Sequence, residues 1–456
     1  MCRIILVLLT LFALTSCNGS SDTEPAIIDE TAPIVTAVLP ADGATNVTLS
    51  TVISVIYDEN IFSSTTSNIT VNGTKITPEI SGKVLTLDYI LESNTKYKIN
   101  IAGSSLRDEV GNFVSAYSFS FTTVLGNSAF DASAFSITPL LCTPNPSSQA
   151  VNVYDFLKEN FGSKVISGTM ANVNNNLDEA KWVYNQTGKW PALTCIDYIH
   201  LMNSPANWIN YSDITDLKDW WNNNGLVAAM WHWNVPKSQG DSEYTFSSLE
   251  TTFKTSNAVI EGSWENTVVK ADLEKIAEYL GLFQKEGIPV IWRPLHEGAG
   301  NLYAYSGGSA WFWWGADGAS AYKNLWIYMF DYFQSKGLDN LIWVWTTETG
   351  DSDFYPGDNY VDVVGCDVYP SINIHDSQLT YFNNAIKVCN KKIVALSECG
   401  GIPNPDQMYA KGDMWSWFMP WYGTYTESDE VNGATYWKEV MANSIVVTRD
   451  QMPNLK

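Results

Sequence analysis

Residues 268–297 read VVKADLEKIAEYLGLFQKEGIPVIWRPLHE, and this stretch decides the fold class. Over residues 268–285 the apolar side chains recur every three or four positions, which predicts an amphipathic helix with one buried face. Gly287 then interrupts the pattern, and a short apolar run over residues 289–297 predicts a strand that ends in a carboxylate. A helix followed at once by a buried strand is the repeating unit of an α/β domain.

The same alternation extends through the chain from residue 148 onward. Apolar strands separated by helices over about 310 residues predict a parallel sheet, and eight such strands favour a (β/α)8 barrel, the TIM barrel. An open, doubly wound sheet is the alternative, but its usual glycine-rich first turn is missing here. The eight strand-like runs are residues 165–170, 192–198, 226–233, 289–297, 341–348, 361–369, 392–400 and 414–423.

The N-terminal part has a different character. All 19 Trp residues lie at or after Trp182. Residues 30–124 instead contain short runs rich in Val, Ile, Thr and Tyr between turn residues, which predict an all-β sandwich. The opening Thr31-Ala32-Pro33 resembles bacterial Ig-like modules that act as spacers, and the lack of Trp favours a spacer over a carbohydrate-binding domain. The turn at 108–112 is predicted as a hairpin turn, with a calcium site as the alternative. The predicted strands are residues 34–39, 51–58, 68–76, 83–90, 96–102 and 116–122.

The N-terminal residues predict the cellular location of the protein. Residues 1–16 have the pattern of a lipoprotein signal peptide, with Cys17 as the lipid-bearing residue and an ordinary cleaved signal as the alternative. We therefore expect a tether over 17–29, a linker over 125–147 and the barrel over 148–456. The expected location is the bacterial outer membrane, exposed at the cell surface or facing the periplasm. The remaining five Cys are an odd number, which favours buried free thiols.

Composition narrows the possible ligands. Lys and Arg total 26 against 49 Asp and Glu, a net charge of −23, so nucleic acid and anionic lipid are poor partners. The sequence has no phosphate-binding loop and no zinc motif, and we expect neither a metal nor a cofactor. Aromatic residues make up 13% of the chain. This composition suits a neutral polyhydroxylated ligand that stacks on aromatic rings.

Two of the predicted strands carry carboxylates at their carboxyl ends, where a barrel places its active site. Glu297 ends the fourth run and Glu398 lies near the end of the seventh. A pair of carboxyl groups facing each other across a cleft is what glycosidic cleavage requires, because one must donate a proton while the other is ionised. The alternative is that both are structural partners of Arg or Lys.

Four motifs together resemble glycoside hydrolase family 26, of the Bacteroides β-mannanase type. They are Trp-Arg-Pro-Leu-His-Glu at 292–297, Trp-Phe-Trp-Trp-Gly at 311–315, Asp-x-Tyr at 367–369 and Ser-Glu-Cys-Gly at 397–400. The resemblance covers about residues 148–456. It implies a retaining enzyme that acts on a neutral β-linked polysaccharide, in most members a β-1,4-mannan, and we expect it to act as a monomer.

The resemblance also implies roles for single residues. Glu297 matches the acid/base and Glu398 the nucleophile, while Arg293 is expected to brace the end of its strand. Asp197 and His200 could reach distal subsites. The substrate-binding positions implied by the family are His232, His296, Trp311, Tyr369, which would hydrogen-bond the nucleophile, and Trp421.

One departure from the family pattern concerns the loop after the acid. Here 13 residues, 298–310, separate Glu297 from the aromatic run, where the family usually has only a few. We expect the subsites on that side to be altered. A β-1,4-xylanase or mixed-linkage β-glucanase of the same family and a non-catalytic glycan-binding lipoprotein remain alternatives to the mannanase.

Overall fold

A computed structural model describes residues 29–48, 51–124, 128–201, 209–348 and 350–456. The predicted signal peptide over 1–16, Cys17 and the tether up to residue 28 lie outside the described residues. The chain divides into two compact units, Met1–Leu125 and Gly126–Lys456. In the described ranges, none of the helices combines the length and apolar character needed to cross a membrane.

The N-terminal unit is a β-sandwich of two sheets around an apolar core, as the sequence predicts. Buried Val55, Leu85 and Ile99 are typical of this core. The predicted strand over 68–76 is a hairpin that turns at Asn72, whose φ is 47°. Asp108 accepts hydrogen bonds from the N–H groups of its own turn. One sheet contains Val35–Leu39, Ile53–Tyr57, Val84–Leu87 and Glu79–Ser81 in that order, and the other Ala44–Val47, Tyr117–Thr123, Lys96–Ile101, Ile69–Val71 and Thr74–Lys75, with Phe62–Ser63 and Leu106–Arg107 as a separate pair.

The second unit is a closed barrel of eight parallel strands. Each strand pairs with the next, and the first also pairs with the eighth, so the sheet has no open edge. The TIM barrel is therefore confirmed over the open-sheet alternative. The strands are β1 (Val165–Met170), β2 (Leu193–Asp197), β3 (Leu226–Met230), β4 (Val290–Arg293), β5 (Leu341–Thr347), β6 (Val363–Val368), β7 (Ile393–Cys399) and β8 (Trp417–Pro420).

Helices cover the outside of the barrel between its strands. The helix predicted over 268–285 begins four residues earlier, because the Ser263 side chain caps it by accepting a hydrogen bond from the Asn266 N–H. Short strand pieces also occur at Val235–Pro236, Tyr244–Thr245 and Val446–Val447. The helices are α1 (Ser148–Asn160), α2 (Asp178–Thr187), α3 (Thr215–Asn222), α4 (Trp264–Lys285), α5 (Gly318–Ser335), α6 (Leu379–Val388), α7 (Pro405–Lys411), α8 (Thr424–Glu427) and α9 (Ala434–Ala442).

The predicted fourth strand is too long at its carboxyl end. β4 stops at Arg293, and Glu297 lies in the turn that follows. Pro294 has no N–H for the ladder, and Leu295 has a φ of 48°, which takes the chain out of the extended conformation. Glu398, by contrast, lies within β7. The two glutamates are therefore held by different kinds of backbone.

Residues just before α1 pack on the barrel. Phe130 and Phe135 stack with ring centroids 5.5 Å apart, and both contact Phe161 and Phe382 edge-on. Four of the five cysteines outside the signal region are buried, Cys142 is partly exposed, and all five are free thiols, as predicted. The described barrel thus depends on packing and not on disulfides.

A buried carboxyl in α4 should make stability depend on pH. Asp272 accepts a hydrogen bond from the Trp233 indole at 2.7 Å, and burial raises the pKa of Asp272 to about 7. Because this pKa is above the unfolded value of about 3.9, the folded state binds an extra proton between these two values. Protonated Asp272 therefore stabilises the fold fully below pH 4. Between pH 4 and pH 7 the free energy of unfolding should fall by about 1.4 kcal/mol for each pH unit gained.

Replacing Asp272 with Asn keeps an acceptor for Trp233 and removes the titration. We expect Asp272→Asn to match the wild type near pH 4 and to be the more stable protein at pH 8. Urea unfolding at single pH units from 4 to 8 measures this difference. Parallel curves for the two proteins would contradict the assignment.

Candidate active site

The carboxylate of Glu398 lies at the carboxyl end of the barrel, fixed by two donors. The Arg293 guanidinium donates to its Oε2 at 2.5 Å, and the Tyr369 hydroxyl donates to its Oε1 at 2.5 Å. Arg293 is the last residue of β4, and Tyr369 directly follows β6. Hydrogen bonds to the charged form stabilise an ionised carboxylate. Two donors thus hold the Glu398 carboxyl in a fixed orientation.

Arg293 joins this carboxylate to a second one. Its other terminal nitrogen donates to Asp367 Oδ2 at 2.6 Å, and the Ser397 hydroxyl donates to Asp367 Oδ1 at 2.7 Å. All four side chains are buried. Burial raises the pKa of Asp367 to about 7, although Arg293 opposes this shift. A single guanidinium at the end of β4 therefore serves two acids.

Glu297 is presented by a strained turn. Leu295 and Glu297 both have left-handed backbone conformations, with φ values of 48° and 49°. Such conformations persist only where the surroundings fix them. The Tyr322 hydroxyl donates to the Leu295 carbonyl at 2.8 Å, and the Trp314 indole donates to the His296 carbonyl at 2.9 Å. These aromatic donors hold the turn in the conformation that aims Glu297 into the cleft.

The turn also needs a residue without a side chain beside it. A Cβ at Gly315 would lie 1.7 Å from the carbonyl oxygen of Gly298, the residue after Glu297. The Trp-Phe-Trp-Trp-Gly motif therefore ends in glycine because the backbone of the Glu297 turn comes this close. The aromatic run and the acid are parts of one packed unit.

Three carboxyl groups meet at this point. One oxygen from each of Glu297, Asp367 and Glu398 lies within 4.8 Å of the others. Such a group could hold a metal ion, but here the Arg293 guanidinium already bonds two of the three. Burial, together with the charges of Asp367 and Glu398, raises the pKa of Glu297 well above its ordinary range. Glu297 is therefore the proton-bearing member of its pair with Glu398.

Two histidines line the other side of the cleft. The Nδ1 atom of His232 lies 2.6 Å from Asp197 Oδ2. The centroid of the His232 ring lies 4.5 Å from that of the His296 ring. Burial lowers the pKa of His296 well below its usual range, with further contributions from His232 and Arg293. His296 is thus a neutral ring beside the acid. Asp197 orients His232 through both of its carboxylate oxygens.

Aromatic rings complete the wall around His232. The centroids of Phe246, Phe312 and Trp421 lie 5.2, 5.6 and 5.9 Å from the His232 ring. The backbone N–H of Trp421 donates to the Cys399 carbonyl at 2.9 Å, next to Glu398. Trp311 contacts Phe312 edge-on, with ring centroids 6.5 Å apart, and is 38% exposed. The aromatic wall is therefore open to solvent at Trp311.

The predicted site residues divide into two groups. Glu297, Glu398, Tyr369, His232, His296 and Trp421 are joined by these contacts, whereas Trp311 meets them only through Phe312 and packs against Gly300. Sequence reasoning missed the ion-pair role of Asp367 and the ring of Phe312, and it passed over Glu348. Glu348 is the last residue of the predicted strand over 341–348, so the strand-end rule that selected Glu297 could have found it. His200 contacts the Val173 carbonyl at 3.1 Å.

A barrel with two opposed carboxyl groups at the carboxyl ends of its strands is the arrangement found in glycoside hydrolases. Comparison with known sequences agrees. A profile of glycosyl hydrolase family 26 matches residues 142–451, and a profile of a bacterial Ig-like domain matches residues 29–123. The chain belongs to glycosyl hydrolase family 26, and the resemblance of its motifs is confirmed.

Relatives of the chain include characterised and solved proteins. Mannan endo-1,4-beta-mannosidase A from Piromyces sp is 32% identical over 337 residues, which are 72% of this chain and 53% of that protein. A mannan endo-1,4-beta-mannosidase from Thermothelomyces thermophilus is 32% identical, over 68% of this chain and 63% of that protein. The chain thus spans 53% of the length of one relative and 63% of the length of the other.

Two crystal structures match the barrel closely. One is the family 26 domain of an endo-beta-mannanase/endo-beta-glucanase from Prevotella bryantii, with 37% identity, a TM-score of 0.63 and coverage of 69% of this chain and 99% of that chain. The other is a beta-mannanase from a symbiotic protist of the termite Reticulitermes speratus, complexed with a gluco-manno-oligosaccharide. It has 37% identity, a TM-score of 0.63 and coverage of 70% and 99%.

Proposed function

We propose that the protein is a retaining endo-β-1,4-mannanase that cleaves mannan, galactomannan or glucomannan by double displacement. One observation carries this proposal: oxygens of Glu297 and Glu398 approach within 4.8 Å. Retaining glycosidases separate their carboxyl groups by roughly 5–5.5 Å, whereas inverting enzymes need about 6.5–9.5 Å to admit a water molecule. The relatives named as mannan endo-1,4-beta-mannosidases support mannan as the glycan.

In the first step, the ionised Glu398 attacks the anomeric carbon and forms a glycosyl ester. The bond to the leaving sugar breaks at the same time, and Glu297 gives its proton to the departing oxygen. Arg293 and Tyr369 hold Glu398 in line for this attack. The raised pKa of Glu297 keeps its proton available near neutral pH.

In the second step, Glu297 is an anion and acts as the base. It takes a proton from a water molecule, the oxygen of that water attacks the anomeric carbon, and Glu398 leaves as a carboxylate. Two inversions at one carbon give net retention. The His232, Phe312 and Trp421 wall would hold the sugar ring that is attacked, since apolar sugar faces pack on aromatic rings.

The test of this proposal is a panel of five polysaccharides: linear mannan, galactomannan, glucomannan, xylan and mixed-linkage β-glucan. We expect reducing sugars from the mannans as a ladder of oligosaccharides, which marks internal cleavage. Mannobiose alone would indicate action from a chain end. Release from xylan or mixed-linkage glucan alone would favour those alternatives, and binding without release would identify a glycan-binding protein.

The Tyr369 hydroxyl should contribute to catalysis through Glu398. Tyr369→Phe removes the 2.5 Å hydrogen bond while the ring remains packed against Tyr425. We expect kcat on mannan to fall about 10- to 100-fold, because a hydrogen bond to a charged group is lost. Steady-state kinetics measure this, with Tyr425→Phe as the matched control. A change in KM with kcat unaltered would contradict a catalytic contribution from the Tyr369 hydroxyl.

We also propose that a lipid at Cys17 anchors the protein to the outer membrane and that the Ig-like domain is a spacer. The protein would act as a monomer. The support is the lipobox-like Leu14-Thr15-Ser16-Cys17. Expression in a bacterial host with labelled palmitate should label the wild type and leave Cys17→Ser unlabelled. Protease accessibility in whole cells separates surface exposure from a periplasmic location.

A further inference from the structure

Glu348 is an active-site carboxyl that neither the proposed mechanism nor the ion pairs of the site use. It directly follows β5 at the carboxyl end of the barrel. A Cβ built on Gly365 in β6 would lie 3.2 Å from Val344, which places the Val344 side chain inside the barrel. Side chains alternate along a strand, so Thr346 and Glu348 point inward as well.

The backbone around Glu348 is fixed by a turn. Its N–H donates to Asp351 Oδ2 at 2.7 Å, and the Thr347 hydroxyl donates to Asp351 Oδ1 at 2.6 Å. The turn continues into the short helix Ser352–Phe354, where Asp353 accepts a hydrogen bond from Tyr303 at 2.6 Å. The loops after β4 and β5 are therefore tied together close to Glu348 in the chain.

One oxygen of the Glu348 carboxyl has no hydrogen-bond partner among the described residues. Its Oε1 is shut off from solvent without a hydrogen bond, although the residue as a whole keeps some exposure. The nearby cation, Arg293, bonds Asp367 and Glu398 instead. An unsatisfied buried carboxyl is destabilising, so a purely structural role does not account for Glu348.

Its surroundings place Glu348 beside the acid. Burial, followed by the charges of Glu297, Asp367, Asp351 and Glu398, raises the pKa of Glu348 well above its ordinary range. The charge of Glu297 has the largest effect of the four, which agrees with the strand order because β5 neighbours β4. His232 and Phe246 follow β3, on the side of β4 away from β5. A leaving sugar bound between Glu297 and the end of β5 would therefore lie beside Glu348.

We propose that Glu348 hydrogen-bonds a hydroxyl of the leaving sugar, in the subsite directly beyond the scissile bond, and so determines which leaving groups are accepted. This inference rests on the proposed function and deepens it. A hydroxyl can donate to the carboxylate or accept from the carboxylic acid, so the contact is available in either protonation state. The sugar would supply the partner that the protein does not.

The experiment compares two substrates with different leaving groups. In mannotetraose the leaving group is a sugar with hydroxyls, whereas in 2,4-dinitrophenyl β-mannobioside it is a phenol without them. We expect Glu348→Ala to lower kcat/KM about 10- to 100-fold on mannotetraose and less than about 3-fold on the aryl substrate. Glu348→Gln keeps one acceptor and should show the same selectivity with a smaller loss.

Controls separate this role from a structural one. Glu278→Gln, which changes an exposed carboxyl on α4, controls for the loss of a negative charge. Equal losses on both substrates, or no loss on mannotetraose, would overturn the role of Glu348 while leaving the proposed function intact. A wild type that cleaves neither substrate nor any polysaccharide would contradict the proposed function and this inference with it.

Discussion

Replacing Glu398 with Ala is expected to abolish hydrolysis, lowering kcat on mannan roughly 10⁴-fold or more. The substitution removes the nucleophile, and it leaves the Arg293 guanidinium with only Asp367 as an anionic partner. Asp367 is not free to take over, because it is bonded to both Arg293 and Ser397. Reducing-sugar release over long incubations measures the residual rate.

Azide distinguishes loss of the nucleophile from loss of the fold. In Glu398→Ala a small anion can enter the vacated space and attack the anomeric carbon while Glu297 still protonates the leaving oxygen. We expect azide to restore turnover and to yield an α-glycosyl azide, the product of a single inversion. Residual activity above about one hundredth of the wild type without azide would contradict the assignment of Glu398.

Replacing Glu297 with Ala should have the second-largest effect. General acid–base catalysis contributes about 10²- to 10⁴-fold, so kcat/KM on mannan should fall by that range. Dinitrophenolate leaves without a proton, so 2,4-dinitrophenyl β-mannobioside should still form the glycosyl-enzyme quickly. The expected signature is a burst of dinitrophenol followed by slow turnover, measured by stopped-flow absorbance.

The pH profile tests the same residue independently. The first step needs protonated Glu297, so kcat/KM of the wild type should fall as the pH rises through the raised pKa of Glu297. On mannan, this alkaline limb should be absent from the residual activity of Glu297→Ala. Glu274→Gln, an exposed carboxyl on α4 paired with Lys336, is the control. An unchanged alkaline limb in Glu297→Ala would assign the acid elsewhere.

Much of the fold follows from local patterns in the chain. The helix and strand within residues 268–297 are set by apolar periodicity, and repetition of this unit specifies the barrel. The end of β4 does not follow, because the chain leaves the ladder at Pro294 through a left-handed Leu295 that the surrounding aromatic donors stabilise. Such a turn depends on contacts from residues distant in the sequence.

The two glutamates of the site could be predicted from the sequence, whereas the contacts between residues on different strands could not. The glutamates at 297 and 398 were found because strand ends meet at one mouth, and their motifs are specific. Several carboxylates lie within reach of Arg293, however. Its hydrogen bond to Asp367 depends on how β4 and β6 face each other across the barrel interior. The pairing of Asp197 with His232 is likewise a contact between neighbouring strands. Spacing along the chain does not encode these choices.

The most direct test of the central claim is the anomeric configuration of the first product formed from mannopentaose, followed by proton NMR in the first minutes of hydrolysis. Glu297 and Glu398, with oxygens within 4.8 Å, predict that the new reducing end appears as the β-anomer and only later mutarotates to the α-anomer. Initial appearance of the α-anomer would mean a single inversion and would contradict the account.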